Sequence, residues 1–268
     1  MKPANLILSL LRTYQHQGTS VKNIMDTGAM FGFNQNMMRV NLSRLVTRGL
    51  VVNTGRGHYR ICEVADPVNQ FVENWRAGEN RVVPWNDRWL MICLAESADE
   101  KCAWVLSSHG FRLLHPYCWV RPDNLHEAFS DLLARLQSAG LPATAVAANE
   151  AHLSEDQAQQ YFAQFDLPAL ASTYQRLTAK LEVSIDRLPE MDQEEARRES
   201  FALGGEVIST LAKDPLLPET IMPAERRARL WQLMLTYDRL GRSVWSDGQP
   251  AGVTAIPISQ TEFQSLRG

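Results

Sequence analysis

The chain has 268 residues, of which 45% are hydrophobic and 21% charged, and its formal net charge is −3. This composition is typical of a globular protein, and the length favours two or three domains. No apolar run approaches the roughly 20 residues that a membrane-spanning helix needs. The opening MKPANLILSL is not followed by the small-residue cleavage site of a secretory leader. We therefore expect a cytoplasmic protein that makes no membrane contact.

The charge is unevenly distributed along the chain. Residues 1–66 hold 8 Lys+Arg against 3 Asp+Glu, whereas the remaining residues hold 19 against 27. Although the pI of the whole chain is near 6.1, the N-terminal segment is basic and the rest of the chain is acidic. A local excess of positive charge is what contacts to nucleic-acid phosphates require. The alternative is that these basic residues only form a solvated helix face.

The first 32 residues predict two short helices. The first carries the apolar residues Leu6, Ile7, Leu10 and Leu11 and ends near Gly18. Thr19-Ser20 offers an N-cap for the second helix. That helix directs Val21, Ile24 and Met25 inward, and residues 28–32 form the turn that follows it.

Residues 33–60 predict a third helix and then a basic hairpin. Asn34 is a suitable N-cap, and one apolar face follows, formed by Met38, Leu42 and Leu45 at positions i, i+4 and i+7. Gly49 stands where a helix commonly ends in a left-handed residue. The β-prone run 50–52, the turn Gly55-Arg56-Gly57 and the run 59–61 then predict two antiparallel strands.

Three helices followed by an arginine-tipped hairpin are typical of a winged helix-turn-helix, which places its last helix in the major groove of DNA. The helix residues that lie off the apolar face are the candidates for that contact: Gln35, Asn36, Arg39, Val40, Ser43, Arg44 and Thr47. The wing candidates, for contacts to the backbone or minor groove, are Arg56, His58 and Arg60. The sequence thus predicts a DNA-binding domain over residues 1–66.

The rest of the chain divides into three parts. Residues 67–87 predict a linker with one short helix carrying Phe71, Val72 and Trp75. Residues 88–152 alternate strand and helix patterns, including a helix over 123–139 capped by Asp123, and predict a small ferredoxin-like α/β domain. Residues 153–268 predict a helical C-terminal domain with a loose tail from about Asp247. The fold class expected is therefore a multidomain α+β protein.

Six segments in this order resemble the PaaX family, repressors of bacterial phenylacetate catabolism. In the first third they are FGFNQNMMRVNLSRLVTRGLV and GRGHYRI. In the middle they are RWLMICL and HGFRLLHPYCWVRPDNL, and near the end DPLLPETIMP precedes ARLWQLMLTYDRL. The resemblance spans nearly the whole chain, and DPLLPE is its most distinctive part.

The resemblance implies a winged-helix head and a ferredoxin-like middle domain, similar to the small dimeric subunit of CRISPR adaptation. It also implies a helical C-terminal domain, a homodimer and release from operator DNA by an aryl-acetyl-CoA thioester. The Trp-Pro-Gly that the family has after DPLLPETIMP is replaced here by Ala224-Glu225-Arg226. This departure lies outside the DNA-reading residues and concerns the effector.

Catalytic motifs are missing from the sequence: there is no G-x-S-x-G, P-loop, dinucleotide fingerprint or H-E-x-x-H. His109, His115 and Cys118 lie close together, but their dense aromatic surroundings favour core residues over a catalytic pair. The four cysteines, Cys62, Cys93, Cys102 and Cys118, form no C-x-x-C pair and predict reduced, buried thiols. We expect no enzyme activity, no cofactor and no metal site.

The sequence leaves several alternatives open for the rest of the chain. A small effector could bind against Trp119 as an aromatic wall and Arg121 as an anion anchor. We expect Arg226, Arg227 and Arg229 to lie on solvated helix faces. The strand Trp89–Leu94 and the helix Leu230–Tyr237 are the candidate dimer interfaces. Two rival functions are a metal-dependent nuclease of the middle domain and a winged helix that binds another protein. Such a nuclease needs an aspartate near the end of the first strand, where this chain has Glu96, which we expect to be a solvent-exposed residue.

Overall fold

The structure is a computed structural model that describes residues 2–14, 17–62 and 74–246. The fold is mixed α+β, with two small antiparallel sheets and a helical C-terminal region. The chain forms two compact units. The first consists of Met1–Ala65, Ser184–Gly204 and Thr236–Gly268, and the second of Asp66–Val183 and Gly205–Leu235. Predictions for Phe71, Val72 and the tail from Asp247 fall outside the described residues.

The N-terminal part of the first unit contains three helices and three short strands. They are α1 (Pro3–Tyr14), β1 (Thr19–Ser20), α2 (Val21–Met30), α3 (Gln35–Thr47), β2 (Val51–Gly55) and β3 (His58–Ile61). The strands form one antiparallel sheet in the order β1-β3-β2. Ser20 caps α2 by accepting from the Asn23 N–H at 3.2 Å, as the sequence predicts.

The core of this part is apolar and fully buried. Leu6, Ile7, Leu10 and Leu11 of α1 are 0% exposed and belong to one cluster with the buried residues of α2 and α3. Trp245 belongs to the same cluster, and Phe201 packs against it. Both residues lie far along the chain, so the core of residues 3–61 is completed by C-terminal helices of the same unit.

The second unit is built around a four-stranded antiparallel sheet. Its elements up to the last strand are β4 (Trp89–Cys93), α4 (Glu100–Ser108), β5 (Arg112–His115), β6 (Cys118–Pro122), α5 (Phe129–Ala139) and β7 (Val146–Ala151). The sheet order is β5-β6-β4-β7. A 3-10 helix at Asn74–Arg81 precedes the sheet, with Trp75 fully buried.

The C-terminal region is helical. It contains α6 (Glu155–Phe162), α7 (Leu167–Arg187), a 3-10 turn (Leu188–Glu190), α8 (Gln193–Ala212) and α9 (Glu225–Ser246). No strand occurs among the described residues 154–246, as the sequence predicts. Each of α7, α8 and α9 contributes residues to both units.

One predicted helix starts later than expected. The helix predicted from Asp123 begins at Phe129, and its N-cap Ala128 makes no side-chain hydrogen bond. The preceding residues have other partners: Asn124 donates to the Leu216 carbonyl at 2.8 Å, and Leu125 forms a β-bridge with Val82. These long-range contacts hold the segment out of the helix, so the prediction of an Asp123 cap is wrong.

The cysteine prediction is wrong at two positions. Cys93 and Cys118 are register partners across β4 and β6, with their Cα atoms 4.3 Å apart, and they form a disulfide. Cys102 is a free, buried thiol, and Cys62 is free and half-buried. The sequence contains both disulfide partners but does not show which strands are neighbours, and only that register brings the two sulfurs together.

Two surface predictions are also wrong. Arg227 is 4% exposed rather than solvated. Its guanidinium forms a bidentate ion pair with Glu79, with hydrogen bonds of 2.7 and 2.9 Å. The strand β4 lies between β6 and β7, with Trp89, Leu90 and Ile92 buried, so it offers neither a free edge nor an open apolar face.

Candidate functional site

The helix α3 has one buried face and one exposed face. Asn34 caps it by accepting from the Met37 N–H at 2.8 Å, which is the predicted N-cap. Met38, Leu42 and Leu45 are 0%, 4% and 3% exposed, so the predicted apolar face is confirmed. The chain leaves the helix through Gly49, whose φ of +69° is the left-handed conformation expected there.

All seven candidate contact residues of α3 lie on its exposed side: Gln35, Asn36, Arg39, Val40, Ser43, Arg44 and Thr47. Two further residues that the sequence analysis did not select share this side or its end. Met37 is 42% exposed, close to the 41% of Val40, and Arg48 is exposed directly after the helix. Met37 stands three residues before Val40, and residues at this spacing share one side of a helix, so helical spacing could have identified it.

The β2–β3 hairpin next to α3 presents a second group of basic residues. Its turn runs through Gly55, Arg56 and Gly57, all with positive φ, and a bulge interrupts the pairing between Asn53 and Gly55. Arg56 and His58 are exposed, and Arg60 is half-buried. The Val21 N–H donates to the Gly57 carbonyl at 2.8 Å and so ties the turn to the start of α2.

Basic residues greatly outnumber acidic residues in this part of the chain. Within residues 2–62 the sequence has eight Lys+Arg and one acidic residue, Asp26. Arg39, Arg44, Arg48 and Arg56 form no ion pair with any part of the chain that the structure describes. These guanidinium groups are therefore available to an external anion.

The two residues proposed as an effector site have different surroundings. Trp119 is 8% exposed and belongs to the apolar core that α4 and α5 form on the sheet. Arg121, two residues further along β6, is 2% exposed and lines a cavity of about 240 Å³ in the second unit. Trp119 does not line this cavity. Of the two residues, only Arg121 therefore lines this cavity.

The residues considered for catalysis do not form a nucleophile–base pair. His115 and Cys118 are register partners across β5 and β6, but Cys118 is bonded to Cys93 and His115 is exposed. The Nδ1 atom of His109 lies 2.7 Å from the Val105 carbonyl. Burial lowers the pKa of His109 to about 4. The positive charges of Arg135 and Arg121 also lower this pKa, whereas the hydrogen bond to Val105 raises it.

Metal-binding side chains are also dispersed. No group of three or more His, Cys, Asp or Glu residues that could hold a metal ion occurs among the described residues. Glu96, the strand-end carboxylate considered for a nuclease, is exposed. In the ranges described, no helix is both long and apolar enough to cross a membrane.

Comparisons with known proteins give a fold relative and no functional match. The chain matches no protein-family model and no curated protein. A solved structure with a similar fold is that of the uncharacterized protein Rv0674 from Mycobacterium tuberculosis, with a TM-score of 0.55 at 19% sequence identity. The similarity covers 91% of this chain and 99% of that one. At this identity the comparison concerns the fold alone.

Proposed function

We propose that this chain is a DNA-binding transcriptional repressor and that residues 3–61 are its winged helix-turn-helix. The order α1-β1-α2-α3-β2-β3, with the sheet order β1-β3-β2, is that of winged helices. In that fold the third helix enters the major groove and the hairpin lies over the adjacent backbone. Here α3 and the β2–β3 hairpin would take those two roles.

The observation that carries the proposal is the coincidence of charge and exposure. The exposed side of α3 and the tip of the hairpin hold arginines without an acidic partner in the described chain, and residues 2–62 contain a single carboxylate. Phosphate neutralisation and counterion release by such groups drive non-specific DNA binding. The opposite side of the same helix is buried, so the exposed side alone is free to read bases.

The residue types on α3 suit base recognition. Arg39 and Arg44 can each donate two hydrogen bonds to a guanine, and Gln35 and Asn36 can do the same with an adenine. Val40, which is 41% exposed, offers an apolar contact to a thymine methyl group. Arg56 and His58 on the hairpin would mainly add salt-dependent affinity.

Further parts of the proposal rest on the resemblance to the PaaX family. They are a homodimer that reads two half-sites and release from the operator by an acyl-CoA thioester of aromatic catabolism. A cytoplasmic location is proposed from the sequence composition alone. The β-α-β-β-α-β order and the sheet order β5-β6-β4-β7 support a ferredoxin-like domain in the second unit. Sedimentation and calorimetry against aryl-CoA thioesters test the dimer and the effector.

The DNA proposal is tested by gel shift with the protein's own upstream DNA. The double variant Arg39→Ala/Arg44→Ala is expected to lose about 5- to 150-fold in specific affinity for each guanine contact removed, equivalent to ~1–3 kcal/mol. If an arginine binds a phosphate instead, its removal should lower the slope of log K against log salt by about 0.9. Circular dichroism should remain unchanged, because both side chains are exposed.

Two controls make this experiment specific. Arg176→Ala/Arg198→Ala removes the same charge from exposed positions outside residues 3–61 and should leave DNA affinity unchanged. Leu42→Ala should lower stability by ~2–5 kcal/mol, because it truncates a buried residue of the same helix. Wild-type affinity in the Arg39/Arg44 variant would show that α3 does not read the DNA sequence. Cleavage of the DNA in the presence of a divalent metal would indicate a nuclease. If the protein causes no gel shift at all, a protein-binding module is favoured.

A further inference from the structure

A buried arginine without a full counter-charge lies in the second unit. Arg121 is 2% exposed and on the face of the sheet that α4 and α5 cover. Its Nε donates to the Pro122 carbonyl, one terminal nitrogen to the His109 carbonyl, and the other to the Asn124 side-chain oxygen at 3.1 Å. All three acceptors are neutral. A guanidinium has five N–H donors, so these bonds occupy three of them.

This arrangement leaves positive charge inside the protein. Burial lowers the pKa of Arg121 to about 10, and the group therefore keeps its charge at neutral pH. The C-terminal end of α4, which His109 caps, contributes a partial negative charge. A buried cation normally needs a full anionic partner, because desolvation of an unpaired charge is expensive.

Most of the other charged residues of the cavity are paired. Arg135 forms an ion pair with Glu127. Asp214 accepts hydrogen bonds from the Tyr174 hydroxyl and the Leu216 N–H, and lies 3.7 Å from the Arg227 guanidinium. Arg81 donates to the Gly78 and Leu211 carbonyls and is attracted by the charge of Asp214, but it forms no ion pair with a described residue. Counted with Glu79 and Arg227, this region holds four arginines and three carboxylates, so one positive charge is left over. Arg121 is the more buried of the two arginines that form no ion pair.

The cavity has the size and lining for a small organic molecule. Its volume is about 240 Å³, well above the roughly 10–15 Å³ that a cavity needs in order to hold one water molecule. Pockets for drug-sized ligands usually measure about 300–1,000 Å³, so this cavity would hold a smaller molecule. Ala77, Leu125, Ala212 and Leu216 supply apolar surface beside the charged groups.

We propose that this cavity binds a small organic monocarboxylate whose carboxylate pairs with Arg121. A planar carboxylate matches the geometry of a guanidinium, and its single negative charge equals the one charge that is left uncompensated. A phosphate dianion would carry one charge too many. The apolar lining would hold the hydrocarbon part of the ligand. This inference is independent of DNA binding and concerns the protein without DNA.

The test measures the melting temperature of the full chain, without DNA, against benzoate, the neutral isostere benzamide, and inorganic phosphate. Benzoate is expected to raise the melting temperature saturably, whereas benzamide and phosphate at equal ionic strength are not. Arg121→Gln should weaken benzoate binding at least tenfold. Arg176→Gln, which removes an exposed charge away from the cavity, should bind benzoate normally.

A second variant covers the case in which Arg121→Gln does not fold. Ala77 is exposed at the cavity rim, so Ala77→Trp blocks the entrance without removing a buried charge. The proposal predicts that Ala77→Trp melts like the wild type and no longer responds to benzoate. It is overturned if benzoate gives no shift, if benzamide or phosphate gives the same shift, or if Ala77→Trp responds normally.

Discussion

Gly28 in α2 provides the sharpest test of the packing inside the proposed DNA-binding part. Glycine is a poor helix former, and replacing it by alanine in an exposed helix interior usually stabilises by about 0.5–1 kcal/mol. Gly28 is buried, however, and a Cβ atom there would lie 2.5 Å from Cγ, 2.8 Å from Cε and 2.9 Å from Sδ of Met38. Met38 is fully buried in α3, so its side chain cannot simply swing out into solvent.

The expected magnitude follows from two opposing effects. The alanine gains up to about 1 kcal/mol in helix propensity. Overpacking a well-filled core typically costs about 1–3 kcal/mol, and here three atoms of one side chain are closer than van der Waals contact permits. We therefore expect Gly28→Ala to lower the free energy of unfolding by about 1–2 kcal/mol. Because Met38 lies in α3, the strain would also displace the proposed recognition helix and weaken DNA binding.

The assay is urea unfolding of Gly28→Ala beside Gly205→Ala. Gly205 lies in α8 and is exposed, and a Cβ atom there would meet no side chain of the described residues within 4 Å, so the same substitution should stabilise by about 0.5–1 kcal/mol. The double variant Gly28→Ala/Met38→Ala should show favourable coupling of about 1 kcal/mol or more, since the shortened residue 38 leaves room for the new methyl group. Equal stabilisation by both glycine substitutions would refute the assigned packing of α2 on α3.

Two further predictions concern buried charge in the second unit. The folded pKa of His109 is about 4, below its unfolded value near 6.5, so its contribution to stability is present above pH 6.5 and is lost as the pH falls towards 4. Between pH 7 and pH 4.5 the linked loss in the free energy of unfolding is about 2 kcal/mol. In denaturant titrations, His109→Gln should lose this part of the pH dependence. An unchanged pH profile in the variant would contradict the burial of the ring. Arg227→Ala should cost about 3–5 kcal/mol, because it leaves Glu79 and Asp214 without their partner, whereas Arg229→Ala, two residues away in an exposed pair with Glu182, should cost at most about 1 kcal/mol. Thermal unfolding measures both variants. If they lose similar amounts of stability, the buried ion pairs of Arg227 contribute no more than an exposed pair does.

Local patterns in the sequence predicted the elements of residues 3–61 well. The cap at Asn34, the buried face of α3 and the left-handed Gly49 each depend on residues within one or two helical turns. Such signals are complete in the sequence, because both partners of each contact are neighbours along the chain. The residues that complete the core of this part, Phe201 and Trp245, have no local signal that assigns them to it.

Non-local partners account for the predictions that were wrong. Arg227 looks like an ordinary helix-surface residue until Glu79, 148 positions earlier, is brought beside it. The disulfide between Cys93 and Cys118 depends on which strands pair and in what register. Asp123 fails as a helix cap because the neighbouring Asn124 bonds to Leu216, 92 residues away. In each case the conformation is stabilised by a contact between residues far apart in the chain, which local periodicity and spacing do not predict.

Two arginines of the second unit show how the same residue type can have opposite meanings. Arg227 and Arg121 are both nearly inaccessible, at 4% and 2% exposure. Although burial alone would lower its pKa, the hydrogen bonds to Glu79 and the charge of Asp214 raise the pKa of Arg227 above its ordinary value. Arg121 has only neutral acceptors, so burial dominates and lowers its pKa. A paired buried cation needs no further anion, whereas a buried cation that lines a cavity gains free energy from any monoanion that enters. Binding at Arg121 should therefore stabilise the folded protein by RT ln(1 + [L]/Kd), and no such gain is expected from anions at Arg227.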